Sequence, residues 1–202
     1  MTDKNIFLTK HDILLGITKI SNLAKERHIL LDIAIYGGAA LSLAFDMRDI
    51  TKDVDVTINK NQDKDFLREA SEIVAEEMNW SLDWLNDGVK GFISHNEILD
   101  QFDDMTNEDG GVRIFVPSAE YLFSMKCMSM RPEGVDGSHD FSDIENPAKL
   151  LQIKNADEAF SIVERFYPMQ KMPTKVYLGI EEIIEGLSGK NTPAQVSNFF
   201  DT

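Results

Sequence analysis

Hydrophobic residues recur along this chain with two different periods, and the switches between them mark out the elements. Ile13, Ile17, Ile20 and Ala24 fall on one helical face behind Thr9, which with Asp12 reads as a helix N-cap. Leu30 to Tyr36 (LLDIAIY) is a short apolar run stopped by Gly37-Gly38, the pattern of a buried strand. Ala39 to Asp46 returns to good helix formers. Asp53 to Ile58 (DVDVTI) alternates strictly, with Val54, Val56 and Ile58 on one face. Asp63 to Asn79 predicts an acidic amphipathic helix with Phe66, Ala70, Ile73 and Val74 turned inward. Ser81 to Asn86 (SLDWLN) reads as a third strand and Val112 to Val116 (VRIFV) as a fourth. Beyond Pro117 the period is helical: a helix capped by Ser118 runs from Glu120 to Met130, followed by Asp140 to Ile153, Ala156 to Phe166 and Thr174 to Leu187. The tail after Ser188 is polar apart from Phe199 and Phe200. This order predicts an α/β (α+β) protein, with an α/β core and N-terminal helix over 1–117 and a helical half over 118–202 packed on that core.

Composition narrows the function classes. Twenty Lys and Arg stand against 35 Asp and Glu, a formal charge of −15, so the long-range field repels phosphate. That excludes a broad basic surface for nucleic acid but leaves room for a small cationic pocket. With 43% hydrophobic residues and 12 Phe, the 202-residue chain has the material for a core and does not read as disordered. Met1 to Lys10 lacks the basic start and apolar stretch of a signal peptide, and no apolar run approaches the ~20 residues that span a bilayer. The expected location is the cytoplasm, with no membrane partner. The single Cys127, set among Met125, Met128 and Met130, reads as a small buried hydrophobe and excludes a multi-cysteine zinc site. His11, His28, His95 and His139 show no metal-ligand spacing. Asp100 to Asp109 (DQFDDMTNED) reads as a solvated acidic loop ahead of the fourth strand, or as a docking strip for a basic partner.

One stretch carries candidate chemistry: Ile35 to Val56, IYGGAALSLAFDMRDITKDVDV. In so acidic a chain an acid-x-acid pair means little by itself, and its setting is what counts. Strand alternation puts the Asp53 and Asp55 carboxylates on one face, ~6.5–7 Å apart along the backbone, while the valines bury the other. Side chains so placed can converge on a pair of divalent cations. Gly37 and Gly38, lacking Cβ atoms, let the backbone approach a ligand closely, and the helix after them offers unpaired N–H groups to an anion. Glycine turn and carboxylate strand together make a logical site for a nucleoside triphosphate and its magnesium. The same residues also make a tight turn beside a solvated acidic edge.

Gly37-Gly38, Leu41, Arg48, Thr51, Asp53, Asp55 and Val56 resemble the GG…R-x-T-x-D-h-D-h signature of minimal nucleotidyltransferases, the polymerase beta-like superfamily. The branch most resembled contains type IV toxin–antitoxin nucleotidyltransferases of bacteria and related proteins, and the likeness runs from Tyr36 to Ile144. It implies a small mixed sheet flanked by helices and a Mg²⁺-dependent enzyme using two ions. Such an enzyme moves a nucleoside monophosphate from a triphosphate to a hydroxyl of RNA, such as a tRNA 3′ end, or of protein. A toxin role with an antitoxin partner goes with the branch. Residue by residue, the resemblance implies that Gly37 and Gly38 hold the triphosphate and that Asp53 and Asp55 bind metal. Arg48 contacts phosphate or braces the loop, and Thr51 orients it. Lys126, in Tyr121-Leu-Phe-Ser-Met-Lys126, matches a helix Lys that reaches the phosphates. Arg131, Asp140 and Asp143 match the segment after it, the acids reading as helix-capping or Lys/Arg-pairing groups. If RNA is the acceptor, Arg48, Lys126 and Arg131 form the patch that docks it. The superfamily commonly adds a third acid on the next core strand as general base. Asp83 and Asp87 are the candidates, with Asp87 favoured by the segment Trp84-Leu85-Asn86-Asp87, although a turn before Gly88 also accounts for it. Trp84 itself reads as core. The rival reading is a non-catalytic nucleotide-binding or interaction module that keeps this fold.

Overall fold

A computed structural model describes residues 7–130 and 138–190. In chain order its elements are β1 (Leu8–Thr9), α1 (Lys10–Glu26), β2 (Leu30–Ile35), α2 (Gly37–Phe45), β3 (Ile50–Thr51), β4 (Val54–Ile58), α3 (Lys64–Met78), β5 (Leu85–Asn86), β6 (Leu99–Asp104) and β7 (Gly111–Pro117). Four helices follow: α4 (Ala119–Met128), α5 (Ser138–Leu150), α6 (Ala156–Phe166) and α7 (Thr174–Lys190). Five strands form one mixed sheet in the order β5-β4-β2-β7-β6, while β1 and β3 make a short antiparallel pair beside it. The protein is a mixed α/β fold.

Local chemistry accounts for the helix starts. Thr9 Oγ1 accepts from the Asp12 backbone N–H while the Asp12 carboxylate accepts from that of Thr9 at 2.9 Å, a reciprocal capping box on α1. Asp63 accepts from the Phe66 N–H at the start of α3, and Ser118 from the Tyr121 N–H at the start of α4. At its other end α3 stops at Asn79, whose φ of +56° lies in the left-handed region that asparagine tolerates.

β2 is buried on both faces, and its alternation assigns each residue to one of two cores. Leu31, Ile33 and Ile35 join α1, α3 and Trp84. Ala34 and Tyr36 join Tyr121, Met125 and Phe166 from α4 and α6. β4 runs antiparallel to β2 with Val56 opposite Ile35, so Val54 and Val56 enter the first core. The period of two then turns Asp55 to the opposite face, beside Lys126 of α4. The helices after β7 build their own cluster around Phe123, Cys127, Ile144, Val163 and Ile180. There Cys127 is fully buried, and burial pushes its thiol well above the usual range, the behaviour of a small core hydrophobe.

Two sequence expectations change. The strand expected over Ser81 to Asn86 contracts to Leu85–Asn86, because Ser81 to Trp84 forms a turn closed by Trp84 N–H to the Ser81 carbonyl. Trp84 is core, its indole donating to the Ser71 carbonyl. Of the acidic loop expected over Asp100 to Asp109, the residues up to Asp104 belong to the edge strand β6, paired antiparallel with β7, while Met105 to Asp109 form the connection, with a tight turn at Asn107 to Gly110. Arg131, Phe199 and Phe200 lie outside the described residues. No helix among the described residues is long and apolar enough to cross a membrane.

Candidate functional site

The site grows from the turn between β2 and α2. Gly37 has φ +63°, and a Cβ there would sit 2.7 Å from Asp55 Oδ2. A Cβ on Gly38 would lie 2.9 Å from Thr51 Oγ1 and 3.2 Å from the Arg48 guanidinium carbon. The two glycines therefore let a carboxylate, a hydroxyl and a guanidinium close in on the start of α2, and any side chain would fill that cradle. Tyr36, the residue before the helix, provides no side-chain cap, so the first N–H groups of α2 are left for other partners. Its own N–H donates to the Asp55 carbonyl, tying the turn to β4.

Asp53 and Asp55 meet as alternation predicts. Asp53 is exposed and its Oδ2 accepts from Asn86 Nδ2 at 3.3 Å. Asp55 is half-buried, and its carboxyl is pushed above the ordinary aspartate range, chiefly by burial and then by Asp53, with Lys126 acting in the opposite sense. Among the described residues no cation makes an ion pair with either carboxylate. A crowded, uncompensated acid pair of this kind suits a divalent cation. The described residues contain no group of three His, Cys, Asp or Glu that could hold a metal alone. Mg²⁺ nonetheless commonly binds through one or two carboxylates together with substrate phosphates and water, and this pair fits that demand.

The cations stand one step back. Asp143 on α5 is buried, and its Oδ2 accepts from Arg48 Nη1 at 2.6 Å and from Lys126 Nζ at 2.7 Å. Arg48 Nε also donates to the Ile50 carbonyl at 2.8 Å, and Thr51 Oγ1 to the Asp53 carbonyl at 3.0 Å. Arg48 and Thr51 thus brace the loop that delivers the acid pair. Arg48 and Lys126, the described members of the patch expected to dock an RNA acceptor, share the one carboxylate of Asp143, a triad that keeps a net positive charge. Asp140 lies on the same helix.

The expected third acid is not brought to the pair. Asp87 is exposed and its carboxylate lies against Lys90 Nζ, while Asp83 is exposed in the turn before β5. In the parallel β4–β5 register the residue opposite Asp55 is Asn86. Its side chain bridges outward to Asp53 and back to the Gly88 N–H at 2.8 Å.

A cavity of about 420 Å³ opens from Gly37 and Asp55 between the short 3-10 turn Gly88–Phe92 and α4. Val89, Phe92, Leu122, Met125, Met128 and Met130 give it an apolar wall, and Asp55, Lys126, Ser129 and Lys175 a polar one. Its size and mixed lining are those of a small-molecule site. Sequence reasoning missed Asn86, whose role needs the β4–β5 register, and Lys175, which nothing local distinguishes. Met125, Met128 and Met130 read from sequence only as the apolar setting of a buried Cys127, yet all three line the cavity.

Comparison with protein-family models, with curated proteins and with solved structures finds no match for the chain.

Proposed function

We propose that the protein is a Mg²⁺-dependent nucleotidyltransferase of the minimal, polymerase beta-like kind, acting in the cytoplasm on a nucleoside triphosphate. The observation that carries this reading is the closeness of Gly37 to Asp55, which joins the start of a helix to an uncompensated acid pair at the mouth of a cavity. In this reading Asp53 and Asp55 hold the metal, whose charge neutralises phosphate oxygens during in-line transfer. Gly37 and Gly38 seat the phosphate chain against the first N–H groups of α2. The apolar wall takes the nucleoside, and Lys126, oriented by Asp143, faces the phosphates beside Asp55. Arg48 and Thr51 keep the β3–β4 loop in shape. A hydroxyl of RNA or of protein accepts the nucleotide and pyrophosphate leaves. The net charge of −15 favours a protein hydroxyl, or an RNA end held at few points, over an extended RNA surface. A toxin role with a dedicated antitoxin is compatible with this chemistry.

Asn86 at the register position opposite Asp55 favours a second reading, a nucleotide-binding module without catalysis. One experiment separates the two. The protein is incubated with Mg²⁺, cell lysate and each triphosphate labelled at the α- or the γ-phosphate. The enzyme reading predicts α-label in a macromolecular product, no γ-label, and loss of transfer in Asp53→Ala. Thermal stabilisation by nucleotide without any transfer would replace it with the second reading.

A further inference from the structure

The cavity has a cation that the paired acids and the Asp143 triad do not use. Lys175, in the first turn of α7, lines it together with Asp55 and Lys126. Lys175 is exposed and forms no ion pair with a described residue, whereas Arg48 and Lys126 both donate to Asp143. Helix α7 is held firmly at this wall. Val176 and Ile180 are fully buried in the helical core, and Met130 Sδ occupies the space that a Cβ at Gly179 would need. Lys175 is therefore a flexible charge on a fixed base.

The local charge makes that cation matter. Asp53, Asp55 and Asp143 stand against Arg48 and Lys126, so the cluster is net negative before any ligand enters. A polyphosphate adds several more negative charges in a half-enclosed space, where charges interact more strongly than in bulk water. An ammonium with three donors and a four-carbon reach meets phosphate oxygens as a point charge. We propose that Lys175 is a substrate-binding residue, contributed by the C-terminal helix, that grips the triphosphate chain. It adds a cation with no carboxylate partner among the described residues to Lys126, which Asp143 holds beside Asp55. This inference rests on the nucleotide-site reading above. It also gives α7 a direct part in the site, beside that of Lys126 on α4.

Equilibrium binding of Mg²⁺ with ATP, GTP, CTP, UTP, inorganic tripolyphosphate and the matching monophosphates tests it, using the full chain and the variants Lys175→Ala, Lys175→Arg and Asp55→Asn. The expected result is that Lys175→Ala weakens the best triphosphate and tripolyphosphate by about tenfold or more, the scale of one charge-assisted hydrogen bond. Monophosphate binding changes little, and Lys175→Arg retains most of the affinity. If wild type binds triphosphate and Lys175→Ala binds it equally well, the assignment of Lys175 is overturned while the site stands. The assignment is also overturned if Lys175→Ala lowers only transfer to RNA, which would move its contact to the acceptor. If wild type binds neither triphosphate nor tripolyphosphate, the nucleotide reading itself fails and this inference with it.

Discussion

Asp55 is a residue whose placement costs the fold something. Burial, and Asp53 beside it, hold its carboxyl above the usual aspartate range. An acid whose pKa rises on folding weakens the folded state wherever it is ionised, and the cost disappears only below its unfolded value near pH 4. At neutral pH, Asp55→Asn should therefore melt at a higher temperature than wild type in metal-free buffer, measured by calorimetry with a chelator present. An unchanged or lower Tm would mean that Asp55 is structurally neutral or needed for folding. Of the site, the acid pair and both glycines were legible from sequence, because strand period and glycine geometry are local properties. The ion pair that the favoured third acid, Asp87, makes with Lys90 was not, since it depends on a short 3-10 turn. Asp143 reads from sequence as a helix-capping or Lys/Arg-pairing acid and does pair with Arg48 and Lys126; that both cations share it joins residues far apart in sequence, which no local pattern supplies.

At the scale of elements, the helices were the most legible because capping groups and apolar stripes announce them. The Thr9–Asp12 capping box offers a check on α1. The Thr9 hydroxyl and backbone N–H both favour the charged Asp12 carboxylate and lower its pKa. A lowered acid contributes stability that is present above its unfolded pKa and lost as pH falls through the folded one. Thr9→Ala should destabilise the protein by about 1 kcal/mol near neutral pH in urea unfolding. That penalty should shrink, without vanishing, as the pH drops below about 4, where Asp12 loses its charge. A penalty that grows with acidification would contradict the box. β6 escaped detection for a physical reason: a bulge between Gln101 and Asp103 breaks the period of two, so its partly buried residues Leu99 and Phe102 are three apart. Its acids also protect an exposed sheet edge from pairing with other chains, and protective charges read locally as a loop. β5 was overextended because the burial of Trp84 imitates a strand, although its backbone is in a turn.

At the scale of the whole molecule, the candidate site lies where the sheet's carboxylate-bearing strand meets the helices after β7, and its apolar lining draws on more than one hydrophobic cluster. One wall is the edge of the α/β sheet, with Gly37 and Asp55; the other is helical, with Met125, Lys126 and Lys175. In the proposed reading, that arrangement lets so acidic a protein still take a phosphate ligand. Its surface repels polyanions at long range, while under that reading a bound metal and Lys175 would set the local balance in the pocket. A metal-dependent triphosphate site is tested most directly by isothermal titration of each nucleoside triphosphate into wild type and into the Asp53→Asn/Asp55→Asn double variant, with Mg²⁺ and again with EDTA. At least one triphosphate should bind wild type only when Mg²⁺ is present, and the double variant, still folded, should not bind it. Binding of equal strength in the double variant, or no triphosphate binding to wild type, would contradict a site built on this acid pair.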